Sequence, residues 1–205
     1  MLRPLNLPED LVTFDEFCRL VPDGQKADLI DGVIHMASPD SHRANRLNSF
    51  LCSLLESYVA ARDLGGEVFV NRYAFQVTEI RAPEPDVAYV GPHRMHLVAE
   101  RGMDGGPDVA IEIVARESRQ RDYGEKRQLY EDAGVTEYWI IDPLQQRAEF
   151  LRLNDGRYEL VPLENNHIFR STAIPGFWLD VNWLLAKPLP NSYQCLQEIL
   201  AGSGA

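Results

Sequence analysis

The chain has 205 residues, 45% hydrophobic and 25% charged, which suits one globular α/β domain and excludes disorder as the main state. Its net charge of −11 argues against broad nonspecific binding to nucleic acid, and no stretch approaches the roughly 20 apolar residues that span a bilayer. Cys18, Cys52 and Cys195 form no CxxC pair and residues 1–11 hold no continuous apolar segment, so the reading is a reducing, cytoplasmic protein without a disulfide framework or a zinc site.

Thr13 and Glu16 have capping-box spacing and open a short helix with Phe14, Phe17, Cys18 and Val21 on one face. Ala27–Met36 reads as a hairpin turning at Asp31-Gly32. From His42 to about Arg62, Leu47, Phe50, Leu51, Leu54, Leu55, Tyr58 and Val59 trace one face of a long helix, closed by Gly65-Gly66. Short β-rich runs follow at Val68–Val70, Tyr73–Thr78 and Asp86–Val90. Asp108–Val114 is a nearly unbroken apolar run that suits a central strand covered on both faces.

A helix is then expected from about Arg119 or Asp122 to Ala133, with Asp122 and Glu125 again at capping-box spacing. Glu137–Asp142 reads as a strand. Phe150–Leu153 and Tyr158–Leu163 flank Asn154-Asp155-Gly156 as a second hairpin. A last strand and a short amphipathic segment lie in residues 174–185. Residues 1–187 read as one domain, and 188–205 as a loosely attached tail with a helix near Tyr193–Leu200. The order points to a mixed sheet with helices on its faces. There is no GxGxxG, GxxxxGK[ST] or GxSxG motif, so dinucleotide, P-loop and serine-hydrolase readings lack support.

Glu112 carries the chemical signal. An ionised carboxylate inside an apolar strand is costly unless it meets a cation, a hydrogen-bond network or a cleft. The plainer readings are a strand end that reaches solvent, or a structural ion pair. Asp86 stands at the mouth of a second apolar strand after Glu84-Pro85, where a turn or capping role is the plainer reading. If the two strands are neighbours, the acids approach closely and call for a cation between them; Mg²⁺ takes one or two carboxylates with waters and substrate phosphate. Lys126 shares a helical face with Asp122 and Tyr130, at steps of four, and reaches the acids if that face turns toward the strand ends. A solvated pair with Asp122 is its plainer reading. His42 opens the long helix beside Arg43 and Arg46, where free N–H groups suit an anion, although an ordinary surface or core histidine fits equally. Residues 41–62 carry 3 bases and 1 acid, and 116–127 carry 5 bases and 3 acids, so two segments of an acidic chain allow a phosphate backbone to approach locally.

With these residues in place, the chain resembles the bacterial Uma-two family of restriction-endonuclease-like proteins, within the PD-(D/E)XK nuclease superfamily. The resemblance rests on ADLIDGVIHMASPDSHRANRL, on EPDVAYV, and above all on PDVAIEIVARESRQRDYGEKRQLYEDAGVTEYWIIDP. It covers roughly residues 10–187. It implies a restriction-endonuclease-like α/β core with a mixed sheet, an added N-terminal helix and hairpin, and a C-terminal β-hairpin. It further implies an endonuclease that hydrolyses phosphodiester bonds in DNA with Mg²⁺ or Mn²⁺. Asp86 and Glu112 match the two metal-binding acids, and the Ile113 carbonyl is a further ligand. Lys126 matches a family lysine that replaces the usual one two residues after the second acid, where Val114 stands here. Asp28 falls where the family often has Glu and is an accessory acid, and His42 matches a recurring histidine. His42, Arg43 and Arg46 would contact the DNA, and a homodimer is possible. Ala115-Arg116 departs from the family's Ser-Pro. The alternative is a nuclease-like scaffold without catalysis that binds nucleic acid or protein, which the missing strand lysine and the acidic surface favour.

Overall fold

Local signals set most of the element boundaries. The computed structural model describes residues 11–202; the opening at residues 1–10, read as lacking a continuous apolar segment, and the last residues of the tail, 203–205, lie outside the described residues. The Thr13–Glu16 capping box is formed in both directions and starts α1 (Phe14–Leu20). The hairpin of β1 (Ala27–Ile30) and β2 (Val33–Met36) turns through Asp31 and Gly32, both with positive φ, as a tight primed turn requires. Ser41 caps α2 (His42–Ala61) by accepting the Ala44 N–H. The chain leaves α2 through Gly66, whose φ is +76°; a Cβ there would lie 2.2 Å from the Val90 carbonyl oxygen, so only glycine lets the next strand come so close.

Then come β3 (Glu67–Val70), β4 (Phe75–Gln76), β5 (Val87–Val90), a 3-10 turn (Pro92–Leu97), β6 (Val98–Ala99), β7 (Gly102–Asp104) and β8 (Val109–Ile113). They are followed by α3 (Arg119–Tyr123), α4 (Glu125–Asp132), β9 (Glu137–Asp142), β10 (Arg147–Asn154), β11 (Arg157–Leu160), β12 (Ile168–Arg170), β13 (Trp178–Asp180), α5 (Val181–Leu185) and α6 (Ser192–Ala201). Six strands form the main sheet in the order β11-β10-β9-β8-β5-β3. Only β8 and β9 pair in parallel, joined by the α3–α4 crossover; the other neighbours are antiparallel. The expected α/β architecture, a mixed sheet flanked by helices, is therefore the one observed.

The period of two along β8 divides the core. Val109, Ile111 and Ile113 point to one face, where α2 packs through Leu47, Leu51, Leu54 and Tyr58. Ala110 and Val114 point to the other, against Leu129 and Tyr130 of α4. Glu112 has the parity of Ala110, so it emerges on the α4 face. This alternation is the link between sequence and site.

Three details differ from the sequence expectation. The helix over residues 119–133 is two helices broken at Gly124 (φ −117°, ψ −88°), and no Asp122–Glu125 capping box forms: Gly124 is the N-cap of α4, and Asp122 accepts from the Ser118 hydroxyl instead. Of Tyr73–Thr78, only Phe75 and Gln76 pair as strand, parallel to β7. The helix near the C-terminus is also not loosely held. Cys195, Leu196 and Ile199 recur at helical spacing and are buried against the α2 layer of the core. Among the described residues no helix is long and apolar enough to cross a membrane.

Because Ile199 is buried in that core, Ile199→Ala is expected to cost about 2–4 kcal/mol in urea unfolding of the full chain. A loosely held terminal helix would show almost no change.

Candidate active site

The β1–β2 hairpin is stitched to the segment before β5. Leu29 and Ala82 exchange main-chain hydrogen bonds, the Glu84 N–H donates to Asp28 Oδ1 at 2.9 Å, and the Ala27 N–H donates to Glu84 Oε2 at 3.0 Å. The hairpin thereby delivers Asp28 and Lys26 to the ends of β5 and β8. In the β5–β8 ladder Val87 faces Ile111 and Ala88 faces Ala110, and Asp86, one residue before β5, accepts the N–H of Ile113, the residue after Glu112. The two acids singled out from the sequence therefore come close at one end of the sheet, where the Asp86 charge acts on Glu112.

Asp86 is fixed from several sides. Its Oδ2 accepts the Ile113 N–H at 2.6 Å, and its Oδ1 pairs with Lys26 Nζ at 2.5 Å. Its carbonyl accepts from the Asn71 N–H and from the Asn48 side chain of α2. Glu112 Oε1 accepts from Lys126 Nζ at 2.8 Å and from the Tyr130 hydroxyl at 2.9 Å. Lys126 Nζ also lies 2.8 Å from Asp28 Oδ2. The step of four between Lys126 and Tyr130 aims both at one carboxylate oxygen, despite the break at Gly124. Glu112 does not reach solvent; its other plainer reading, an ion pair, is the arrangement observed, and Lys126 is not a surface partner of Asp122 but a buried cation shared by Asp28 and Glu112.

Burial governs the electrostatics. It outweighs the attraction of Lys126 at Glu112, so that carboxyl is pushed up to about 8. Burial likewise pushes Glu84 up to about 7, against the hydrogen bond from Ala27. At Asp28, burial is outweighed by the Lys126 and Lys26 ammonium groups, and its pKa is lowered. At Lys126, burial is outweighed by Asp28 and Glu112, so the ammonium is held well above its usual range. Asp122 is raised by burial, and its Oδ1 is buried without a hydrogen-bond partner.

The donor set is made of hard oxygens. Asp86 and Glu112 supply two carboxylates. The N–H and C=O of one residue leave an extended strand on the same side, so the Ile113 carbonyl shares the Asp86 side of β8 with its N–H. Among the described residues, no group of three or more His, Cys, Asp or Glu side chains is arranged to hold a metal. Two carboxylates, a carbonyl and waters nevertheless fit Mg²⁺ or Mn²⁺, and two ammonium groups already stand beside these acids as counter-cations.

His42, Arg43 and Arg46 lie at the start of α2, on a cleft of about 820 Å³ that also takes in Arg116 and Lys187. His42 and Arg46 are exposed, whereas Arg43 is tied down, its Nη2 donating to the Leu184 carbonyl at 2.5 Å. Asp40 lines both this cleft and a groove beside Lys26, which connects the basic helix end to the acids. The sequence reading missed Lys26 and Glu84. The available signal was the two-residue spacing from Lys26 to Asp28 and from Glu84 to Asp86, which places each pair on one face of an extended segment.

Lys126→Met removes the cation from two buried acids and is expected to lower stability by about 3–5 kcal/mol in urea unfolding. A second outcome follows from Glu112. Its folded pKa, about 8, lies above the ordinary value of 4.5, so its contribution is full below about 4.5 and is lost as pH rises through about 8. In chelator, the stability of Glu112→Gln relative to wild type is therefore expected to rise between pH 5 and pH 9.

The Uma2 family model, described as "Putative restriction endonuclease", matches residues 14–182. No curated protein matches the sequence. Among solved structures, the chain is similar to "a putative nuclease belonging to DUF820" from Anabaena variabilis ATCC 29413, at 19% identity and a TM-score of 0.67, covering 85% of this chain and 97% of that one. That likeness establishes a shared fold, and the family match, which spans most of the sequence and every residue of the acid–lysine cluster, establishes that this chain belongs to the Uma2 family.

Proposed function

We propose that the protein is a divalent-metal-dependent endonuclease that hydrolyses phosphodiester bonds in DNA. The observation that carries this reading is the hydrogen bond from the Ile113 N–H that holds Asp86 beside Glu112, whose carboxylate is backed by Lys126. Asp86, Glu112 and the Ile113 carbonyl would hold Mg²⁺ or Mn²⁺. When bound, such an ion supplies a Lewis acid for the phosphoryl oxygen and a water of lowered pKa.

The chain's own residues do the rest. Lys126 and Tyr130 fix Glu112 Oε1, so the carboxylate keeps one orientation toward the substrate side. The Lys126 charge also offsets the negative charge that grows on the phosphate, acting through a site from which water is largely excluded. Asp28 completes the arrangement as the accessory acid, since it shares the Lys126 ammonium and anchors Glu84. His42 and Arg46, with Arg116 across the cleft, would draw the phosphate backbone toward the acids. Arg43 would act mainly by holding the start of α2 against the α5 segment. A chain of charge −11 then admits DNA along a local basic path, with the rest of its surface repelling it.

One observation favours a second reading, a nuclease-like binding module without catalysis: both acids already have lysine partners, and Val114 fills the place of the strand lysine. Incubation of plasmid and oligonucleotide DNA with Mg²⁺ or Mn²⁺ separates the two. Under the nuclease reading, cleavage requires the metal, weakens steeply with salt, and falls by at least about a hundredfold in Glu112→Gln or Asp86→Asn. Absence of cleavage by wild type, or equal cleavage by Glu112→Gln, would leave the binding module.

A further inference from the structure

The two lysines beside the acids are not equivalent. The Lys126 side chain is 3% exposed and wedged between Asp28 and Glu112. The Lys26 side chain is 19% exposed, and among the described residues its ion pair is with Asp86. Lys26 directly precedes β1 and lines a groove of about 610 Å³, shared with Ser38, Asp40, Asn71 and Arg72. Its ammonium therefore has somewhere to go, and that of Lys126 does not.

Asp86 has two oxygens. The Ile113 N–H holds Oδ2, so Oδ1 is the oxygen not tied to the main chain, and Lys26 Nζ sits on it at 2.5 Å. Oδ1 is therefore the Asp86 oxygen best placed to take a divalent ion. A monovalent and a divalent cation on one carboxylate oxygen repel strongly in a site this dry. One of them has to leave.

We propose that Lys26 is an exchangeable counter-ion that occupies the Asp86 arm of the metal site and must swing into the neighbouring groove before a divalent cation binds. The inference rests on the metal-dependent reading above and adds to it a competitor supplied by the chain itself. The displaced ammonium is released next to Asp40, on the side that leads to the basic cleft, where a phosphodiester would receive it. The absent strand lysine makes this arrangement coherent: Val114 is packed in the core, Lys126 is enclosed, and Lys26 is the ammonium of the cluster with a path to substrate.

Mn²⁺ titration calorimetry on the full chain tests the exchange without depending on turnover. Lys26→Met is expected to bind Mn²⁺ about tenfold tighter or more than wild type, because the charge-assisted hydrogen bond that competes for Asp86 is gone. Lys26→Arg, which retains a cation there, is expected to bind no tighter than wild type. Melting curves give a second reading: Mn²⁺ raises the melting temperature of Lys26→Met more than that of wild type. Lys26→Gln serves the same comparison if Lys26→Met does not fold. Unchanged or weaker Mn²⁺ binding by a folded Lys26→Met or Lys26→Gln protein overturns the exchange and leaves the metal site standing. Equal tightening in Lys26→Arg overturns it as well. If wild type and the Lys26 variants bind no Mn²⁺, or Asp86→Asn binds it as wild type does, the metal reading and the exchange fall together.

Discussion

A single enclosed ammonium organises the centre of this molecule. Lys126 reaches from α4 to Glu112 in the middle strand and to Asp28 in the N-terminal hairpin, 2.8 Å from each. Neither acid would tolerate its apolar surroundings alone, since removing a carboxylate from water costs several kcal/mol. The cation makes both tenable and joins three elements that are distant in sequence. The uneven sharing follows: Asp28 is held in its charged form, whereas Glu112 is left reluctant to ionise. The cluster is less a stabilising salt bridge than a charge-balanced pocket kept on a rigid frame.

That frame is what makes the pocket usable. The adjoining ends of β5 and β8 bring Asp86 and Glu112 close together, and α2 reaches through Asn48 to hold the Asp86 main chain from the opposite layer. The Ile113 N–H orients one Asp86 oxygen, so the acid has one tied arm and one arm held only by a side chain. The asymmetry between an enclosed Lys126 and a groove-facing Lys26 gives the two cations different work. One balances charge permanently, and the other is poised to be displaced.

The charge distribution fits such a role. Most of the chain is acidic, yet the start of α2, Arg116 and Lys187 surround one cleft beside the acids. Under the proposed function, a phosphate backbone would be repelled elsewhere and admitted there.

The sequence by itself determined the period-two and period-3.6 patterns, and with them the hairpins, α2, the buried central strand and the α/β class, because these follow from local burial and turn chemistry. It also flagged Asp86, Glu112 and Lys126, since a carboxylate within an apolar strand is anomalous wherever the strand lies. It did not reveal the break at Gly124, where a Cβ would lie 2.9 Å from the Gln120 carbonyl oxygen, nor the anchoring of α6, whose apolar face has meaning only beside α2. Only the tertiary structure decided that Lys126 faces inward, that Asp28 is its second partner and that Lys26 sits on Asp86. The physical reason is range: backbone preferences act over a few residues, whereas a charge pair such as Lys26 and Asp86 joins positions 60 apart and exists only once the hairpin has docked against the sheet.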